Sequence, residues 1–398
     1  MAKALRVLIA GAGIGGLTAA LALLQKGIDV EVFERAPELK EAGAGLHCSP
    51  NGVRVLQTLG LNDALERVAV KAVDRDIRLW DTGQSWRLPN HGASSEERYG
   101  APYLFLHRGD LHAMLVNAIR VKRPEILHVN ARCVDFAQDG SGVTLDVEGH
   151  GSVRGDVLIG ADGVKSIVRG KLFGDDNPKF TGRLAWRGLV PIERLPEPMR
   201  APITTNWIGP NGSVTTYPVR KGELMNFVTL VNRDDWQAES WTDQGTIDEC
   251  LHDMRGWHDD VHEIIRNIDV PYKWGLFLRD PLTSWTSGRI SLLGDACHPM
   301  LPYLGQGANM AIEDGMVLAR SLDAFDDVEV ALTHYERARG ERASTIVLKS
   351  REQGDRVNRS ELGDSASAAR YIEAQWSGGN IAQRYDWIFD YDATSVEI

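Results

Sequence analysis

The first 34 residues contain a strand, a glycine-rich turn, a helix and a second strand, and that order leaves few folds open. Residues 5–10 (LRVLIA) form an apolar, β-leaning run suited to a strand buried on both faces. The run leads straight into Gly11-Ala-Gly13-Ile-Gly15-Gly16. A helical pattern then continues to Gln25, Gly27 supplies a C-cap, and residues 29–34 read as a second strand ending on Glu34. A unit of this kind predicts an α/β domain with a Rossmann-like sheet. The glycines have separate tasks: a tight turn, close approach of the backbone to a pyrophosphate, and close packing of helix on strand. Phosphate oxygens would rest on amides at the helix N-terminus, and Glu34 stands where an acid takes ribose hydroxyls. GxGxxG alone occurs by chance, but the ordered context favours a nucleotide without separating NAD from FAD.

A second segment narrows the choice. Residues 291–315 (SLLGDACHPMLPYLGQGANMAIEDG) read as a strand ending at Gly294-Asp295, a proline-glycine loop, and a helix opening at Gly307. A carboxylate at a strand end and a helix N-terminus suit a ligand with hydroxyls at one end and an anionic centre at the other. Reduced FAD is such a ligand, and a helix N-terminus favours its charge by roughly 0.3–1 kcal/mol, about 2 if partly buried. A further predicted strand, residues 153–159, leads into Gly160-Ala161-Asp162-Gly163, with Ser166 and Arg169 beyond. Residues 103–107 form an apolar strand that ends on His107-Arg108 before a helix. No second GxGxxG occurs, so no separate pyridine-nucleotide domain is expected. The four cysteines (Cys48, Cys133, Cys250, Cys297) show no metal or redox spacing, which excludes thiol-relay flavoenzymes and predicts no metal site.

Lys and Arg number 44 against 55 Asp and Glu, a net charge of −11 that argues against nucleic acid or an anionic membrane as the main partner. No uninterrupted apolar run is long enough to cross a bilayer. The glycine punctuation argues against a cleaved leader in the apolar N-terminus, and reduced thiols fit a cytoplasmic protein. Residues 1–180 and 281–330 are expected to form one nucleotide domain, interrupted by a β-sheet substrate domain over residues 181–280. Within that insertion, residues 184–190, 214–219 and 224–231 read as strands. Residues 331–398 are expected to be a helical tail, regular to about Val357 and then mixed and aromatic. That tail reads as packing, including against a second subunit.

In order, GAGIGG at Gly11, the Asp162-Gly163 segment and Gly294-Asp295 with its helix resemble the single-component FAD-dependent aromatic hydroxylases, over nearly the whole chain. Local wording is similar to the salicylate, 3-hydroxybenzoate and 6-hydroxynicotinate enzymes, notably Gly294-Asp-Ala-Cys-His-Pro-Met300 and Trp207-Ile-Gly-Pro210 followed by Tyr217-Pro-Val. The resemblance implies that Glu34, with Arg35 beside it, holds the adenosine ribose and that Arg108 lies near the pyrophosphate. It implies that Asp295 binds the ribityl or pyrophosphate end, that Gly307, Ala308 and Asn309 face the isoalloxazine, and that Pro299 packs near its reactive edge. Asp162 and Arg169 would serve both FAD and a passing NADH or NADPH. The family leans to NADH and to homodimers.

The chemistry so implied uses O2 through a flavin C4a-hydroperoxide, which attacks a ring activated by an oxygen substituent. Forming a phenolate at pH 7 from a phenol of pKa about 10 costs about 4 kcal/mol, so a base or proton relay is needed. His47, after Gly43-Ala-Gly45-Leu, is the first candidate; a histidine that only bonds its own loop is the equally weighted alternative. Tyr217 is the second, against the plain alternative of a packed core tyrosine. Arg187 is a candidate for the substrate carboxylate or for an ordinary ion pair. Pro302 and Tyr303 fall where relatives contact substrate. Ser213 replaces a histidine of some 3-hydroxybenzoate enzymes, His298 reads as structural or flavin-side, and Cys297 as inert. The preferred expectation is decarboxylative, salicylate-type hydroxylation of a small aromatic acid to a catechol. The alternatives are the 6-hydroxynicotinate and 3-hydroxybenzoate reactions, and, in a different class, a flavin oxidase or a flavin-binding protein without turnover.

Overall fold

The computed structural model describes residues 5–40, 43–88, 94–174, 178–233 and 243–398. Arg6–Ala10 lies at the middle of a sheet whose order is Thr286–Ser287, Ile290–Leu292, Val157–Gly160, Arg6–Ala10, Asp29–Phe33, Leu127–His128. All neighbours are parallel except the first pair. Ile9 stands beside Ile159 on one side and Val32 on the other, and all three are fully buried, as a sheet covered on both faces requires. The Rossmann-like core expected from the first 34 residues is therefore present, and residues beyond 280 return to complete it.

The expected strand at 153–159 is two strands. Gly151–Gly155 closes an antiparallel three-stranded sheet, and Val157–Gly160 enters the parallel one. Asp156 makes the break: its amide donates to the Arg6 carbonyl at 2.8 Å, and its carboxylate accepts from the Arg6 amide at 2.7 Å. Arg154-Gly155-Asp156 marks this turn in the sequence.

Lys179–Pro191, Gly212–Val219 and Leu224–Asn232 confirm the strands expected in the insertion, but their sheet has eight strands and is not confined to residues 181–280. Arg75–Leu79 pairs in parallel with Thr204–Gly209, and Ser85–Leu88 forms the outer edge. The sheet alternates with period two. Trp186, Trp207, Val214 and Phe227 face helices Ile247–Asp253 and Asp259–Arg266. Thr204, Asn206, Thr215, Tyr217, Val228 and Leu230 face the opposite way, into a cavity above the nucleotide fold.

The Val328–Arg356 helix matches its expectation, whereas the aromatic tail does more than pack at the surface. Helices Ser365–Gln375 and Gly378–Phe389 fold back onto their own chain. Arginines hold the last residues by their carbonyls: Arg342 donates to Trp387 and Ile388, Arg54 to Phe389 and Tyr391, and Arg320 to Ala393 and Val396. Tyr385 and Phe389 thereby reach the cavity wall.

Beneath the tail lies a buried ion cluster. The fully buried Arg339 pairs with Glu313 at 2.5 Å and Asp314 at 2.8 Å, and Arg342 pairs with Glu313 at 2.8 Å. Removing one member of such a cluster leaves an uncompensated buried charge. We expect Arg339→Ala to lower unfolding stability by about 3–5 kcal/mol in urea titration; a loss under about 1 kcal/mol would show the cluster to be dispensable.

Candidate active site

The helices Ile14–Gln25 and Gly307–Ala324 lie side by side with their N-termini at one end of the cavity. Gly15 permits this approach: a Cβ there would come within 2.5 Å of Leu293 and 3.0 Å of Ala311. Neither helix has a side-chain cap or an acid in its first turn, so both positive ends are uncompensated. Gly11 takes φ +107°, and a Cβ on it would stand 2.4 Å from the Ala161 carbonyl, joining the glycine loop to the Asp-Gly segment. At Gly13 a Cβ would meet nothing within 4 Å and would project into the open cavity, so this backbone is bare toward a ligand.

Gly13, Gly15 and Gly16, with Arg108, Asp295, Pro299, Gly307 and Ala308, line the cavity wall. The Asp295 carboxylate makes no hydrogen bond or ion pair among the described residues and is available to hydroxyls. Glu34 lies outside the wall and braces the glycine loop, one oxygen accepting from the Ala12 amide and the other from the Ala36 amide, each at 2.9 Å. Arg35 is exposed beside it. Asp162 accepts from the Ile167 amide at 2.8 Å, while its other oxygen is buried without a partner among the described residues. Burial raises its carboxyl above the usual range.

Arg169 and Asn309, two more of the expected cofactor residues, also stay out of the cavity wall. Arg169 is buried and donates to the carbonyls of Ala296 at 3.0 Å and Val164 at 2.7 Å, stapling the Asp-Gly segment to the Gly-Asp loop. Asn309, also buried, donates to the carbonyls of His47 and Gly305 at 2.9 Å and accepts from the Ser49 amide at 3.1 Å. It fixes the His47 strand to the helix end instead of facing a ring. The motif positions were legible, but the direction of these side chains was not.

His47 sits on a strand, Gly45–Cys48, and not in a loop; this strand pairs antiparallel with Leu104–His107. The pairing brings its Nδ1 to 2.8 Å from the Tyr103 hydroxyl, with Tyr217 edge-on at 4.2 Å between ring centres. The Tyr217 hydroxyl makes no hydrogen bond among the described residues, and burial raises its pKa, so it stays protonated at neutral pH. Burial does the same for Tyr103, which sequence reasoning passed over as an ordinary strand residue. Only the strand register, invisible locally, places it on His47.

Arg187 lines the cavity with its guanidinium over Tyr272 at 5.4 Å and Trp274 at 5.2 Å. Burial, and then the like charge of Arg108, push its pKa down. Pro302 and the Tyr303 ring line the wall, but the Tyr303 hydroxyl is bonded to Arg183 at 3.1 Å. Ser213 is also on the wall. His298 is structural: its Nε2 lies 2.6 Å from Asp314, and burial works against its charge while Cys297 and Asp314 outweigh it, raising its pKa. Cys297, His298 and Asp314 converge as metal ligands can. However, Asp314 is already taken by Arg339, His298 and the Gly294 amide, leaving no open donor set. The cysteines are buried, and burial lifts the Cys48 thiol to about 12, an unreactive value. Residues that sequence reading missed entirely are Arg75, Asn206, Tyr385 and Phe389, all on the cavity wall.

The cavity, about 420 Å³, combines an anion-favouring floor with a roof of mixed polar and apolar side chains, within the usual range for small-molecule sites. This is a dinucleotide fold with a roofed reaction chamber. The FAD binding domain family matches residues 4–350, and the chain belongs to the FAD-dependent aromatic monooxygenases. It is 38% identical to a 3-amino-4-hydroxybenzoate 2-monooxygenase from Streptomyces platensis over 98% of this chain and 97% of that one. It is 34% identical to 3-hydroxybenzoate 6-hydroxylase 1 from Aquipseudomonas alcaligenes over 96% and 97%. A solved salicylate hydroxylase substrate complex superposes with TM-score 0.80 at 28% identity, covering 98% of this chain and 96% of that one. Among the described residues no helix is long and apolar enough to cross a membrane.

The bare glycine backbone, the uncapped helix ends and the unengaged Asp295 fit FAD. We expect Asp295→Ala to lower flavin affinity at least about 10-fold, the value of a charged hydrogen bond, measured by fluorescence on reconstituting apoprotein. Retention equal to wild type would overturn the placement of Asp295 in the flavin site.

Proposed function

We propose that this protein uses NAD(P)H and O2 to hydroxylate a single-ring aromatic acid carrying a ring hydroxyl meta or para to its carboxylate. One oxygen atom enters the ring and the other leaves as water, with NAD(P)H supplying two electrons. The carrying observation is the group of His47, Tyr103 and Tyr217 on a stretch of wall that includes Val228, Leu230 and Leu304. Bound FAD supplies the activated oxygen; the protein must activate the ring and keep water out. His47, oriented through Nδ1 by Tyr103, takes or shares the proton of the substrate hydroxyl. Tyr217 remains protonated and donates to the oxygen that becomes negative.

The ring positions follow two relatives, named for 3-amino-4-hydroxybenzoate and 3-hydroxybenzoate, at 38% and 34% identity. Salicylate-type decarboxylative hydroxylation is supported only by the more distant structural neighbour and is the second reading. The 6-hydroxynicotinate reaction is the same ring attack on a pyridine and belongs in the same assay. NADH as the preferred reductant and a homodimer remain part of the proposal.

The test is NADH and NADPH oxidation by the purified yellow protein with 3-hydroxybenzoate, 4-hydroxybenzoate, 3-amino-4-hydroxybenzoate, salicylate and 6-hydroxynicotinate, with product, peroxide and carbon dioxide quantified. Coupled hydroxylation of a meta- or para-hydroxy acid without carbon dioxide is expected. Coupled turnover of salicylate with carbon dioxide would replace this reading by the second, and peroxide alone from every acid would refute both. In His47→Ala we expect flavin content to persist while coupled product falls at least about 10-fold and peroxide rises. Unchanged product yield would remove His47 from the reaction.

A further inference from the structure

The wall of the cavity nearest the tail is cationic, and its residues come from opposite ends of the chain. Arg75 opens the strand Arg75–Leu79, next to the sheet edge, and Tyr385 lies on the last helix. Both line the cavity, as do Asn206 and Thr215 between them. Arg75 Nε donates to Asn206 Oδ1 at 2.7 Å, and Asn206 Nδ2 donates to Thr215 Oγ1 at 2.7 Å. Nη1 of Arg75 donates to the Tyr385 hydroxyl at 3.3 Å, and its guanidinium carbon stands 5.7 Å from the Tyr385 ring centre. The remaining nitrogen, Nη2, makes no hydrogen bond among the described residues, and no carboxylate there forms an ion pair with Arg75. Asp74, the adjacent acid in the wall, pairs with Arg87 at 3.4 Å.

The charges that act on Tyr385 have one sign. Burial works to raise the Tyr385 hydroxyl, yet Arg75, Arg384 and Arg356 outweigh it and hold it below the usual tyrosine value. A guanidinium oriented by neutral partners, with a nitrogen toward an enclosed space, is built to receive an anion. The enclosed space is the substrate half. The charge of Arg75 is felt at the Tyr103 hydroxyl, which holds His47.

We propose that Arg75 seats the carboxylate of the aromatic substrate, with Asn206 and Tyr385 fixing its guanidinium, so that the ring hydroxyl is directed to His47 and Tyr217. This rests on the reading of the protein as a hydroxylase of aromatic acids. Arg187, the candidate from sequence, is the poorer seat. It lies on stacked rings beside Arg108, on the side of the cavity assigned to the cofactor. The sheet register sets the span: Arg75 stands opposite Thr204, and Thr205 opposite Thr216 of the Tyr217 strand. Arg75 and Tyr217 are therefore two strands apart, about 10 Å between backbones. That span suits one ring between two long side chains, with its acid and hydroxyl on non-adjacent carbons.

The experiment uses the flavin-loaded protein and the perturbation of flavin absorbance on titrating 3-hydroxybenzoate and 4-hydroxybenzoate, each against its own amide. Wild type is expected to bind at least one acid about 30-fold more tightly than its amide. Arg75→Gln should weaken that acid about 30-fold while changing the amide less than about threefold. Arg75→Lys keeps the charge without the fork and should lose about 5- to 10-fold for the acid alone, which guards against a folding defect in the first variant. Equal weakening of acid and amide, or an acid preference that survives in Arg75→Gln, overturns the assignment while leaving the hydroxylase reading intact. If wild type prefers neither acid to its amide and hydroxylates none of the panel acids, that reading falls and takes this seat with it.

Discussion

The Asp314 carboxylate, fully buried, is the point on which the floor of the site depends. One oxygen accepts from the Gly294 amide and from His298, and the other from Arg339. Burial favours its neutral form, yet His298 and Arg339 outweigh that penalty and hold the carboxyl below its usual range. The charge is tolerable only because it is saturated with partners. Its three partners come from the Gly-Asp loop and from the long Val328–Arg356 helix. The loop that presents Asp295 to the cavity is thus held by an electrostatic contact to a helix that carries no motif. Glu313, the next residue, extends the same cluster to Asn51 and Arg342, and through Arg342 to the tail carbonyls.

That connection explains a division between what was and was not legible in the chain. The glycine loop, the Gly294-Asp295 turn and the helix at Gly307 are local constraints. Only certain residues permit the backbone at Gly11 and the close helix contact at Gly15, so the sequence carries their signature at fixed spacing. Charge clusters and sheet edges have no such spacing. Arg75–Leu79 joins a sheet whose central strands lie more than a hundred residues later, and nothing in its own alternation names that partner. Asp156 splits residues 153–159, read as one strand across Arg154-Gly155-Asp156, because its backbone and carboxylate pair with Arg6.

Motif residues were located more reliably than their roles. Asn309 stands at the helix end as expected, and its amide is spent on the His47 and Gly305 carbonyls. Arg169 follows the Asp-Gly segment as expected and binds carbonyls of two loops. In both cases the side chain secures another functional segment, a positional service that residue type and spacing do not distinguish from ligand contact. His47 shows the converse. Its identity suggested a proton relay, but the orientation that makes the role plausible comes from Tyr103, delivered by antiparallel pairing.

The two halves of the chamber are therefore encoded differently, and this bears on how such a fold changes substrate. The floor is built from backbone amides and helix ends, which alter little when side chains are exchanged. The roof is built from alternate side chains of strands, whose substitution leaves the sheet ladder in place. Arg75 and Tyr385 lie outside the floor, on a strand next to the sheet edge and on a terminal helix. Both line the cavity without forming part of its backbone floor. A fixed oxidising floor and an exchangeable roof let one fold serve aromatic acids with different substitution patterns. It follows that the residues deciding substrate are found by tracing strand register and tail docking, not by reading the flavin motifs.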